Sequence, residues 1–410
     1  MTGIKKFSLV ALVIITLAAC INETGTNNQV TSVDYSKGSF GYDRNFVKKY
    51  DSSAVILTAG GSQMIVSPKY QAKVFTSTAT GDTGTSFGWI NYKAFGAPLD
   101  PHMNAYGGEN RIWVGPEGSK FSFFFPAGSH MDLSTWKTPA AFDSESWTVK
   151  ARTANSVDCW KTMRLTNYAG IPFSLVVDRQ IMILDRHAID SELALSSDTT
   201  VHAVGYRTSN TLTNTGAQTW TTTTGAPNIW LLDMQKTSPA TTIVIPYTIA
   251  GDTSPATTDY FGEIPADRIK CKGGVVFFKA DGKRRSKLGV HSHQVKPVLG
   301  SYDAENNLLT INLYDVDTAA EYLDQEWRPT GDPFTGDAVH TYSDGPLPNG
   351  SQMGPFYELE SASPALFLAP GQSHTHHHTV FHFTGPEEGL NVIAKKVLGV
   401  SLDQIKQALP

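Results

Sequence analysis

The chain is short of cysteine and of charge. Its 410 residues include three cysteines, at positions 20, 159 and 271. No two form a Cys-x-x-Cys pair, which argues against a thiolate zinc or redox centre. Cys159 and Cys271 can be one disulfide or two separate thiols, and the sequence leaves both open. Charged residues are 17% of the chain, below the ~25% of ordinary soluble domains. The 33 basic and 38 acidic residues are interspersed, for a net charge of −5, so there is no basic field for nucleic acid. No apolar run after residue 20 is long enough to span a bilayer. A P-loop and a His-Glu-x-x-His zinc motif are missing too. So are internal repeats of fixed period and, before residue 386, clear helix-forming stretches.

What is present begins with "MTGIKKFSLVALVIITLAAC". Lys5 and Lys6 precede a short apolar run, and Leu17-Ala18-Ala19-Cys20 matches the lipobox of bacterial lipoproteins. The expectation is a signal peptide over 1–19, lipidation at Cys20 and a polar tether over 20–35. The mature protein is then membrane-anchored through its lipid, in the periplasm or at the cell surface.

Residues 36–385 read as one large antiparallel β-sandwich domain. Segments such as "SAVILTA", "QMIVSP", "KVFTST", "KFSFFF", "FSLVVDRQIMIL", "TIVIPYTI" and "LLTINLYDV" are rich in Val, Ile, Thr and Phe. Gly, Pro, Asn and Asp punctuate them, which is the strand signature. The segment 386–410 differs. Leu390, Ile393, Ala394 and Val397 have helical spacing, and Ser401 with Gln404 fits a capping box. Short helices packed on the sandwich are expected there.

Two clusters carry candidate chemistry. "FGWINYKAFGAPLDPHMNAYGGENRIWVGPEG" concentrates Trp89, Asn91, His102, Glu109, Asn110, Arg111 and Trp113. A carboxylate, a guanidinium and indoles suit a sugar: polar groups bond hydroxyls and rings cover its C–H face. Strand parity puts Glu109 and Arg111 on one face and Asn110 on the other. The alternative is a Glu–Arg pair holding a tight turn. In "PFYELES", Phe356, Glu358 and Glu360 share a face, about 7 Å apart for the two carboxylates. Facing a cleft, their repulsion would make one a usable acid or base. The basic stretch "DGKRRSK" reads as a solvated loop, or as a contact for an acidic sugar.

These motifs, with "KLGVHSHQVKPVLGSYDAENNLLTINLY", resemble the galactose mutarotase-like (aldose 1-epimerase-like) superfamily, and most of all its bacterial lipoprotein branch. The resemblance implies a β-supersandwich, a carbohydrate partner and mutarotase-like acid–base ring opening without a cofactor. It also implies that Arg111, in Asn110-Arg111-Ile112, contacts the sugar and that Glu358 or Glu360 is the base. The superfamily's Asn-His motif for the acid is missing, and His187, His202, His291 and His293 are candidates by position only. His102 completes the catalytic set. Carbohydrate binding without catalysis is the alternative.

"SHTHHHTVFHF", Ser373 to Phe383, raises a third expectation. On a strand, His376 and His378 share a face and can bind a divalent metal, with Glu358 or Glu360 as a third ligand. Otherwise it is a late strand beside the site.

Overall fold

The computed structural model describes residues 1–2, 34–248 and 254–410. The lipobox, Cys20 and most of the tether lie outside them. The chain divides into two units, Met1–Asp34 and Tyr35–Pro410, and every described helix and strand belongs to the second.

In chain order the elements begin with α1 (Phe40–Tyr50), β1 (Val55–Ala59), β2 (Ser62–Ser67), β3 (Lys73–Thr78), β4 (Arg111–Gly115), β5 (Thr148–Arg152) and β6 (Ser156–Thr166). There follow β7 (Pro172–Leu184), α2 (Arg186–Glu192), β8 (His202–Asn214), β9 (Asn228–Lys236), β10 (Thr241–Pro246), β11 (Ala256–Thr257) and β12 (Ile269–Lys272). The rest are β13 (Val275–Lys279), β14 (Ser286–Val290), β15 (Val298–Asp303), β16 (Leu308–Tyr314), β17 (Val339–Ser343), β18 (Phe356–Ala362), β19 (Ser373–Thr384), α3 (Glu387–Val397) and α4 (Leu402–Lys406).

A ten-stranded sheet has the order β12-β13-β10-β15-β16-β19-β8-β7-β6-β5. A six-stranded sheet has the order β11-β14-β17-β18-β9-β4, and β1-β2-β3 form a third. The protein is mostly β, and neighbouring strands in the two large sheets run antiparallel. The two large sheets pack face to face, as apolar faces of sheets must. Leu175, Tyr206 and Leu212 of the larger meet Val114, Ile229 and Leu231 of the smaller. Further along, Ile243 and Leu299 meet Leu288 and Leu359.

The last helices cover the other face of the large sheet. Leu390, Ile393, Leu402 and Ile405 pack with Tyr302, Leu309, Phe381 and Phe383. The Ser401–Gln404 capping box is formed. Helices α1 and α2 were not expected from the sequence. "KFSFFF" is a turn rather than a strand; Phe123, Phe124 and Phe125 are core anchors from a loop. Cys159 is buried, Cys271 is exposed, and both are free thiols.

Candidate functional site

The six-stranded sheet has one face toward the core and one toward a pocket of about 790 Å³, part of it open to solvent. Alternation along the strands sorts the side chains. On β18, Tyr357 and Leu359 enter the core, and Ser361 bonds to histidines of β19. Phe356 and Glu358 line the pocket. Trp230, Leu232 and Met234 come from β9, Arg111 and Trp113 from β4, Lys287 from β14 and Tyr342 from β17. The floor of the pocket is therefore regular sheet, which holds functional groups more tightly than loops do. Loops supply the walls: Met103, Leu133, Trp136, Phe261, Trp327 and Asp344 among them.

Two ion-pair centres lie in this floor. Arg111 pairs with Glu358, and its guanidinium lies 4.5 Å from the Trp113 ring centre. Both side chains are more than nine-tenths buried. The Nε of Arg111 is buried without a hydrogen-bond partner among the described residues. The second centre is Lys287. Its Nζ is 3.4 Å from Glu360 and 3.9 Å from Glu117, and 4.6 Å from the Trp230 ring centre. Trp230 Nε1 donates to Glu360 at 2.9 Å, and Trp136 Nε1 donates to Glu117 at 3.1 Å.

One ammonium thus serves two buried carboxyls. Burial pushes Glu360 up to about 7; Lys287 opposes that push and Glu358 adds to it. Burial raises Glu117 as well, against the pull of Lys287. Both carboxyls are thus biased toward their neutral forms, because burial disfavours charges that are not fully paired.

Of the residues singled out from sequence, Arg111, Trp113 and Glu358 meet in the pocket, and Glu360 lies one step deeper. The others do not join them. His102 is exposed, and its Nδ1 bonds the Trp136 carbonyl at 2.6 Å, so it tethers a wall loop. Trp89 packs behind Phe356, ring centres 4.6 Å apart, and Asn91 donates to the Ala105 carbonyl.

Glu109 was expected beside Arg111, and that is corrected. Strand β4 starts only at Arg111. Gly107 and Gly108 have φ of 82° and 126°, conformations open to glycine, so parity does not extend back to Glu109. Its carboxylate turns inward to Ser77 and to His382 Nε2 at 3.0 Å. Burial alone would raise Glu109, but His382 and Ser77 outweigh it and hold it below the usual carboxylate range. Asn110 is also interior, between Arg179 and Asp233.

The histidine strand is β19 of the ten-stranded sheet. Ser361 Oγ lies 3.0 Å from His376 Nε2 and 2.8 Å from His378 Nδ1, and His378 Nε2 lies 2.7 Å from Asp233. Burial, with the neighbouring His378, lowers His376 to about 3, so it is neutral. Glu358 pairs with Arg111 in the pocket and Glu360 with Trp230 and Lys287, so neither carboxylate engages these rings. Among the described residues no group of three or more His, Cys, Asp or Glu side chains is placed to hold a metal ion.

Lys287 and Arg285 belong to the stretch read as a solvated loop or a contact for an acidic sugar, and both line the pocket. A signal existed: "SKLGV" places Lys287 inside an apolar strand. Glu117 sits in the quoted "GPEG", where the glycine serves a close approach. A Cβ at Gly118 would fall 1.8 Å from the Glu326 carbonyl oxygen, so the chain can lie directly against the loop that carries Trp327. The pentapeptide Gly84–Gly88 has Gly-x-Ser-x-Gly spacing. Its Ser86 is fully buried and bonded to Asp43 and to Thr76, so it presents no nucleophile. None of the pocket-lining side chains is a histidine; His340 lies behind Trp230, ring centres 6.3 Å apart.

Residues 38–409 match the model of a family described as a family of unknown function, DUF6786. The chain belongs to this family. The match spans every residue of the pocket. No curated protein matches the chain. Among solved structures it is similar to a galactose mutarotase-like protein from Lactobacillus casei (11% identity, TM-score 0.48, covering 80% of this chain and 100% of that one). It is similar to an Escherichia coli K12 protein provisionally assigned as an aldose 1-epimerase (14%, TM-score 0.47, covering 80% and 98%). It is similar also to a galactose mutarotase related enzyme from Lactobacillus acidophilus (8%, TM-score 0.42, covering 81% and 97%).

Proposed function

We propose that this family member binds a carbohydrate in the pocket of the six-stranded sheet. The observation that carries the reading is the Arg111–Glu358 pair, set among Trp113, Trp230 and Phe356. Aromatic faces suit the C–H side of a pyranose, while the ion pair offers bonds to its hydroxyls. Four tryptophans line the pocket, so a bound sugar changes their emission. Titration with a panel of monosaccharides is expected to give a saturable fluorescence change for at least one. A flat response across sugars and glycans would sink the reading.

A catalytic extension is favoured by the raised Glu117 beside Glu358 in the same pocket. Glu358 takes the proton of the anomeric hydroxyl, and protonated Glu117 gives one to the ring oxygen. The C1–ring oxygen bond breaks, the C1–C2 bond rotates, and the ring closes on the other face with both protons returned. This uses no cofactor. Anomer exchange of freshly dissolved α-sugars, followed by NMR, tests it; exchange no faster than in buffer leaves a binding protein.

The sequence supports attachment outside the cytoplasm through lipid on Cys20. Cells fed labelled palmitate are expected to label the wild-type chain and not Cys20→Ala. Label retained in the variant would overturn the anchor.

A further inference from the structure

We propose that the sugar is an acidic one, its anionic group seated on the Arg285 guanidinium. This deepens the carbohydrate reading and rests on it. Three cations line the pocket, and two have carboxylate partners: Arg111 has Glu358, and Lys287 has Glu360 and Glu117. Arg285 pairs with no carboxylate among the described residues. It is half-buried, and its guanidinium lies 3.6 Å from the Phe261 ring centre. Its Nε donates to the Tyr342 hydroxyl at 3.2 Å. The ring and the hydroxyl fix the plane of the guanidinium, and neither terminal nitrogen has a hydrogen-bond partner among the described residues.

A flat guanidinium with its outer nitrogens free is a ready two-point seat for a carboxylate, phosphate or sulfate. The pocket's other carboxyls are already engaged. Glu117 accepts from Trp136, and Asp344 accepts from the Tyr342 hydroxyl at 3.0 Å and from the Gly354 amide at 3.1 Å. Burial moves both toward their neutral forms, which lessens their competition for Arg285. The loop backbone at Arg284 and Arg285 lies against Gly345 of the pocket wall; a Cβ there would fall 2.2 Å from the Arg285 amide nitrogen. Lys283 and Arg284 are exposed on the same loop and extend the positive field from the pocket toward solvent.

The test titrates the full chain with neutral glucose and galactose, their uronates, their 6-phosphates and their 6-sulfates, read by tryptophan fluorescence. At least one acidic sugar is expected to bind about 10- to 100-fold tighter than its neutral counterpart, the gain of a charge-assisted two-point contact. The tightest of the three anions names the source. In Arg285→Gln the ratio falls to near one, and Arg285→Lys, which keeps the charge and loses the fork, lies between. Thermal unfolding of both variants checks that the half-exposed substitution leaves the fold in place. Neutral sugars binding as tightly as acidic ones, or a preference that survives Arg285→Gln, overturns the proposal and leaves the carbohydrate reading standing. If no sugar of any charge binds, both fall.

Discussion

Replacing Arg179 with Met is expected to lower the free energy of unfolding by about 3–5 kcal/mol, the usual cost of breaking a buried charged network from one side. Arg179 lies on β7, 1% exposed, between the two large sheets. Its Nε donates to the Ala72 carbonyl at 3.2 Å, and its terminal nitrogens to Asn210 at 2.7 Å and to Asn110. Asn110 in turn donates to Asp233, which Asn312 and His378 also engage. Burial lowers the guanidinium to about 10, with Cys159, Tyr206 and Asp233 opposing the shift, so it stays charged at neutral pH. Methionine fills much of the volume but leaves three acceptors unbonded and Asp233 without its counter-charge. Urea unfolding measures the loss, and adding Asp233→Asn is expected to recover part of it by removing the orphaned charge. A loss under about 1 kcal/mol, no more than an ordinary surface pair contributes, would show that the network is not structural. Asn110 immediately precedes Arg111, so the network also fixes the pocket from behind, and Arg179→Met is expected to weaken sugar binding without touching the pocket.

The same network explains how far the sequence could be read. Alternation was legible where strands are regular. In "FYELES" it separated Glu358 and Glu360 from Tyr357 and Leu359 correctly, because β18 runs unbroken from Phe356 to Ala362. It failed at Glu109, where two glycines precede the strand and turn the backbone. It also failed at "KFSFFF", where an apolar run anchors a turn. Helix α1 has a readable period in Phe40, Asp43 and Val47, its buried side, and was not picked out. The pairing of Lys287 with Glu117 and Glu360 joins residues far apart in the chain through β14, β18 and the loop after β4. Nothing local announces it. The histidines of β19 drew attention as chemistry, and their partners, Ser361, Asp233 and Glu109, make them fasteners between sheets.

Glu358→Gln is expected to slow anomer exchange by about 10²- to 10⁴-fold, the range for loss of one acid–base group, with a much smaller change in sugar affinity. Gln keeps an oxygen that can accept from Arg111 and nearly the same volume, so the pocket keeps its shape and only the proton acceptor is lost. The guanidinium left behind still lies over Trp113, which supports it in the variant. The split between rate and binding is the informative part. A residue that only shapes the pocket would lose both together, whereas a base loses rate first. The pH profile gives a second reading. Glu117, raised by burial, must hold a proton to act as acid. Wild-type exchange therefore falls as pH rises through its shifted pKa, and Glu117→Gln removes that alkaline limb along with most of the rate. Exchange by Glu358→Gln at the wild-type rate would remove Glu358 from the chemistry. The pocket would then be one that holds a sugar and leaves its anomeric centre alone.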